Sequence, residues 1–166
     1  MTAEEQQCSC GCGHEHHHEH HHEECGGCSG CGHHHDQPVS QTLSTSVGGG
    51  VLLMRATAHE GAIVVSCTLE LEDSAVTPSC LARALQGVAF DVEQAGGIVG
   101  HIKCAAVSEK GSARISVTEA NIEPTVQAEG LEALNEEADI TIAVIVYAVE
   151  LPDLLEMLVT RLERVL

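Results

Sequence analysis

Sixteen side chains between Cys8 and His35 can ligate a soft or borderline metal ion. They fall into three blocks. Cys8, Cys10 and Cys12 alternate with Ser and Gly in CSCGCG. HEHHHEHHHEE, residues 14–24, carries seven histidines (His14, His16, His17, His18, His20, His21 and His22) among four glutamates. Cys25, Cys28 and Cys31 then follow, with His33, His34 and His35 behind them.

The middle block repeats every four residues, close to one helical turn. On a helix His14, His18 and His22 would share a stripe, His16 and His20 a second, His17 and His21 a third. Imidazoles at i and i+4 can chelate one divalent ion. Glu15, Glu19 and Glu23 would form an anionic stripe able to orient ring N–H groups. A helix this short is marginal in water, so metal is expected to induce the order. Thiolates with imidazoles suit Ni²⁺ or Zn²⁺, with Cu⁺ and Co²⁺ also accommodated, far better than Mg²⁺ or Ca²⁺. Cys25-x2-Cys28-x2-Cys31 with His35 copies three-quarters of an iron–sulfur spacing. His in the fourth place, and no apolar residue to shield a cluster, speak against one. The string from His14 to His18 contains H-E-x-x-H, but in a repeat with no core it is not a protease signature.

CSCGCGH resembles the Cys-Gly-Cys opening of HypB-type nickel GTPases, and the His/Cys/Glu segment is similar to those of the SlyD, UreE and CooJ nickel chaperones. The resemblance covers residues 8–35. It implies nickel handling and a metalloenzyme or maturation-factor client. Beyond residue 35 the chain departs from these families: no G-x-x-x-x-G-K-[ST] occurs, and residues 51–166 show no prolyl-isomerase or UreE pattern.

Bulk charge narrows the partners. With 25 acids against 7 bases the formal net charge is −18. Such a chain attracts cations and lacks the Lys/Arg clusters that nucleic acid or an anionic membrane requires. MTAEEQQ has no apolar h-region, and the longest apolar run, IAVIVYAV, is too short to span a bilayer. Clustered cysteines without a signal segment point to a reducing, cytoplasmic setting.

The elements that would carry this arm begin where composition changes. No Val, Ile, Leu or Phe precedes Val39. Residues 1–38 therefore read as a disordered Cys/His-rich tail. Residues 39–50, the end of DQPVSQTLSTSVGGG, read as a linker rich in Ser, Thr and Gly. Residues 51–166 carry the pattern of a packed α+β domain.

Within it, 51–59 and 62–72 read as a hairpin turning at Glu60–Gly61, with Ile63, Val65, Cys67, Leu69 and Leu71 on one face. Thr77–Pro78 caps a helix to about Ala95, with Leu81, Leu85, Val88 and Val92 on its apolar side; Gly96–Gly97 stops it. Residues 98–107 and 113–118 form a second hairpin. Residues 126–136 read as a poor acidic helix or loop. Residues 139–149, apolar on both faces, read as a central strand. Pro152 opens a last helix with Leu155, Leu158, Leu162 and Val165 on one face, and its wide apolar surface allows a homodimer.

The order ββαββ(α)βα suggests an antiparallel sheet with helices on one face, a ferredoxin-like sandwich variant. In this domain Cys67 and Cys104 read as buried structural thiols. Cys80 sits in a first helical turn, where the dipole lowers a thiol pKa. His101 and Lys103 share a strand side and are candidates for a small-ligand or anion site. No Ser-His-Asp order, paired catalytic carboxylates or Rossmann glycines occur, so no enzyme is expected. The sequence leads to a soluble metallochaperone or storage protein. The competing reading is an oligomeric interaction or small-ligand sensing domain whose tail is a passive metal buffer.

Overall fold

The computed structural model describes residues 39–72 and 75–166. In chain order these form β1 (Val39–Val47), β2 (Gly50–His59), β3 (Ala62–Leu71), α1 (Pro78–Gln94), β4 (Ile98–Ser108), β5 (Gly111–Val117), β6 (Thr125–Glu129), β7 (Asp139–Tyr147) and α2 (Leu151–Glu163). All seven strands join one antiparallel open sheet in the order β1-β2-β3-β7-β4-β5-β6.

The turns follow from local chemistry. Val47 pairs with Gly50 and His59 with Ala62, leaving two-residue loops at Gly48–Gly49 and Glu60–Gly61. Positive φ at Gly48, Glu60 and Gly61 gives these loops the twist that suits antiparallel strands. The Thr77 side chain accepts a hydrogen bond from the Cys80 backbone N–H, and Pro78 opens α1 with its φ already set. At the far end Gly96 turns left-handed (φ 84), its N–H bonding to Glu93 O and that of Gly97 to Val92 O. This pair of bonds satisfies carbonyls the helix would otherwise leave open.

Alternation then divides the sheet into two faces. One row runs Met54, Cys67, Ile142, Cys104, Ile115 across five strands, and every member is buried. Leu52, Val65, Leu69, Ile102, Ile140 and Val144 share that face. Against it lie α1, through Leu81, Leu85, Val88 and Val92, and α2, through Leu154, Leu158 and Leu162. Arg161 on α2 clasps Asp91 on α1 with two parallel hydrogen bonds of 2.6 and 2.5 Å. Gly87 makes room for it, since a Cβ there would stand 2.9 Å from Arg161 Cδ. No helix among the described residues covers the opposite, bare face of the sheet.

Several expectations change here. The α+β class, both hairpins, both helices and the central strand are observed. Residues 39–47, taken as linker, form edge strand β1, paired with β2 along its whole length. The first part of residues 126–136, taken as a poor acidic helix or loop, instead belongs to edge strand β6 (Thr125–Glu129). The helix that a ferredoxin-like βαββαβ order places before the last strand therefore has no counterpart among the described residues. On α2 the innermost stripe is Leu154, Leu158 and Leu162, whereas Leu155 is half-buried. No helix among the described residues is long and apolar enough to cross a membrane.

Candidate functional site

The expected metal ligands, from Cys8 through His35, and the disorder expected of residues 1–38 lie outside the described residues. Among the described residues, no group of three or more His, Cys, Asp or Glu side chains is placed to hold a metal ion.

The other three cysteines divide by burial. Cys67 and Cys104 point into the helix-covered face on either side of Ile142, two strand spacings apart. Burial pushes both thiols up to about 12, and for Cys104 the neighbouring Cys67 adds to the effect. At neutral pH both are protonated, and neither is a nucleophile or a ready ligand. Cys80 is different. It lies half-buried in the first turn of α1, and hydrogen bonding from the Thr77 side chain, then Arg83, holds its thiol below the ordinary value. The Arg83 guanidinium donates to Cys80 Sγ at 3.3 Å.

The histidines are dispersed. His59 ends β2 at the hairpin tip, its Nδ1 3.9 Å from Glu60. His101 sits on β4 directly after a bulge at Gly100, where pairing with β7 skips one residue. A Cβ at Gly100 would lie 3.1 Å from Ile145 O and from the Tyr147 ring, so glycine allows the close approach. Past the bulge, Ile102 and Cys104 point inward while His101 and Lys103 point to the bare face. The shared side of His101 and Lys103 is thus as expected.

What the sequence did not indicate is the company Lys103 keeps. Two rows cross the bare face here. Ala143, Lys103, Ser116 and Thr125 lie side by side on β7, β4, β5 and β6; Thr141, Ala105, Arg114 and Gln127 form the next row. Lys103 and Arg114 are diagonal neighbours, a spacing of about 7–8 Å between backbones. The small side chains Ala105, Ala143 and Thr141 leave a concavity of about 460 Å³ lined by both rows. His101 lies outside that lining. Arg114 was legible only as a base on the polar phase of GSARISV. Its meeting with Lys103 depends on the order of strands, which no local pattern carries.

Three of the seven bases, Arg55, Lys103 and Arg114, stand on this face of a chain with net charge −18. Among the described residues, the ion pairs are His59–Glu60, Lys110–Glu137 and Arg161–Asp91, so these three bases hold no carboxylate. Around them stand exposed apolar side chains, notably Leu53, Val64, Val107 and Tyr147. The arrangement can accept an anion by charge and by hydrogen bonds from hydroxyl and amide groups. No protein-family model, curated protein or solved structure matches the chain.

Proposed function

We propose that the chain is a metal-binding protein of the cytoplasm, a nickel or zinc metallochaperone or store. The ligand-rich arm at residues 8–35 captures the ion, and the α+β domain presents that arm to a metalloenzyme or maturation-factor client. The observation that carries this reading is the four-residue His/Glu repeat bracketed by two cysteine clusters. Sixteen donors in 28 residues exceed what any single tetrahedral ion requires. Surplus donors favour several ions and rapid exchange between neighbouring sites, which suits transfer. Capture needs neutral imidazole and thiolate, so protons compete with metal. Affinity should fall as pH drops through the histidine range near ~6.5.

A second reading rests on the bare sheet face, whose exposed apolar and cationic side chains suit a ligand or a second copy of the chain. On that reading the arm is only a metal buffer. Truncation to residues 39–166 separates the two, because this piece retains all seven strands and both helices. In metal-limited cells the truncated protein should fail to support the client enzyme while remaining folded. Full activity without the arm would exclude delivery and leave the ligand-binding reading.

A further inference from the structure

We infer that the concavity between Lys103 and Arg114 is a binding site for a small organic anion, one carrying a carboxylate or phosphate group. It does not depend on the metal reading of residues 8–35.

The first observation is charge placement. A chain of net charge −18 repels anions over most of its surface, and its bases are scarce. Lys110 and Arg161 are engaged with carboxylates, at 2.6 Å from Glu137 and 2.5 Å from Asp91. Lys103 and Arg114 are diagonal neighbours on adjacent strands, and no ion pair among the described residues involves either. Two like charges on diagonal neighbours repel weakly in water, and an anion between them meets both.

The second observation is shape. At about 460 Å³ the concavity falls within the range of small-molecule sites, roughly 300–1,000 Å³. A flat polar strand face would have no such hollow. It exists because Ala105 and Ala143 stand where larger side chains would fill it.

The third is the chemistry of the lining. Arg114 offers a planar fork that matches a carboxylate or phosphate edge, and Lys103 adds a mobile point charge. Ser116 and Thr125 supply hydroxyls and Gln127 an amide, while the Thr141 hydroxyl donates to Ala105 O. The alanines give an apolar floor for a short carbon skeleton. A nucleic acid is disfavoured by the overall charge, and the volume of the open concavity suits a metabolite.

Amide chemical shifts of the full chain, titrated with inorganic phosphate and separately with succinate against sodium chloride at matched ionic strength and pH, test the site. Shifts confined to residues 103–105, 114–116, 125–127 and 141–143 are expected. A response to phosphate alone assigns a phosphate ester, and one to succinate alone a carboxylic acid. Lys103→Gln with Arg114→Gln should weaken the response roughly 10- to 100-fold, as removal of charge-assisted hydrogen bonds does. Both side chains are exposed, so the variant should keep the wild-type spectrum elsewhere. The inference is overturned if chloride produces the same shifts, if neither anion moves these amides at millimolar concentration, or if the double variant responds like the wild type.

Discussion

At the scale of residues, the same element serves opposite chemistry according to burial. Cys67 and Cys104 sit among aliphatic side chains and stay protonated; Cys80, beside Thr77 and Arg83, is tuned towards thiolate. A thiol whose pKa rises on folding favours the folded state only while it is neutral. The unfolded thiols ionise from near 9 and the folded ones only near 12, so their contribution is full below pH 9 and is lost as pH climbs from 9 towards 12. Urea unfolding across that alkaline range should show a steeper loss of stability in the wild type than in Cys67→Ala with Cys104→Ala. Equal slopes would show that the two thiols are not buried as described. Peptide mapping after brief alkylation of native protein should find Cys80 modified and Cys67 and Cys104 protected until denaturant is added.

At the scale of elements, the edges of the sheet carry the least legible information. Strand β3, with its inside–outside alternation, β7, with a run apolar on both faces, and the capped helix α1 could be read directly, because burial is written into their apolar residues. The edge strands could not. VSQTLSTSV has Ser or Thr at five of nine positions, and the following GGG looks like a spacer, yet its first two glycines are the turn between paired strands and Gly50 begins β2. β6 is exposed along its whole length, so no apolar periodicity marked it. Sheet order was likewise hidden, since β7 enters between β3 and β4 through contacts far apart in sequence. The same cause hid the meeting of Lys103 with Arg114: each base was visible, but not their adjacency. A chain starting at residue 51 should therefore be less stable than one starting at 39. It loses the ladder along β2 and the burial of Val47, which is fully enclosed. Burial of one such side chain contributes about 1.5–3 kcal/mol. Thermal melting compares the two; equal midpoints would mean that β1 adds nothing to the fold.

At the scale of the whole molecule, the chain joins a donor-rich segment to an α+β domain in which both described helices pack on one sheet face. The acidic surface holds dissolved cations near the protein, while two of the seven bases, Lys103 and Arg114, line the concavity where an anion could dock. The direct measurement of metal capture by residues 8–35 is elemental analysis of the untagged full-length protein, purified anaerobically from its native host and repeated after dialysis at falling pH. Nickel or zinc at more than one ion per chain is expected near neutral pH, released as the solution passes below pH ~6.5. Protein recovered without metal, which then binds nickel and zinc no more tightly than free histidine does, would contradict metal capture.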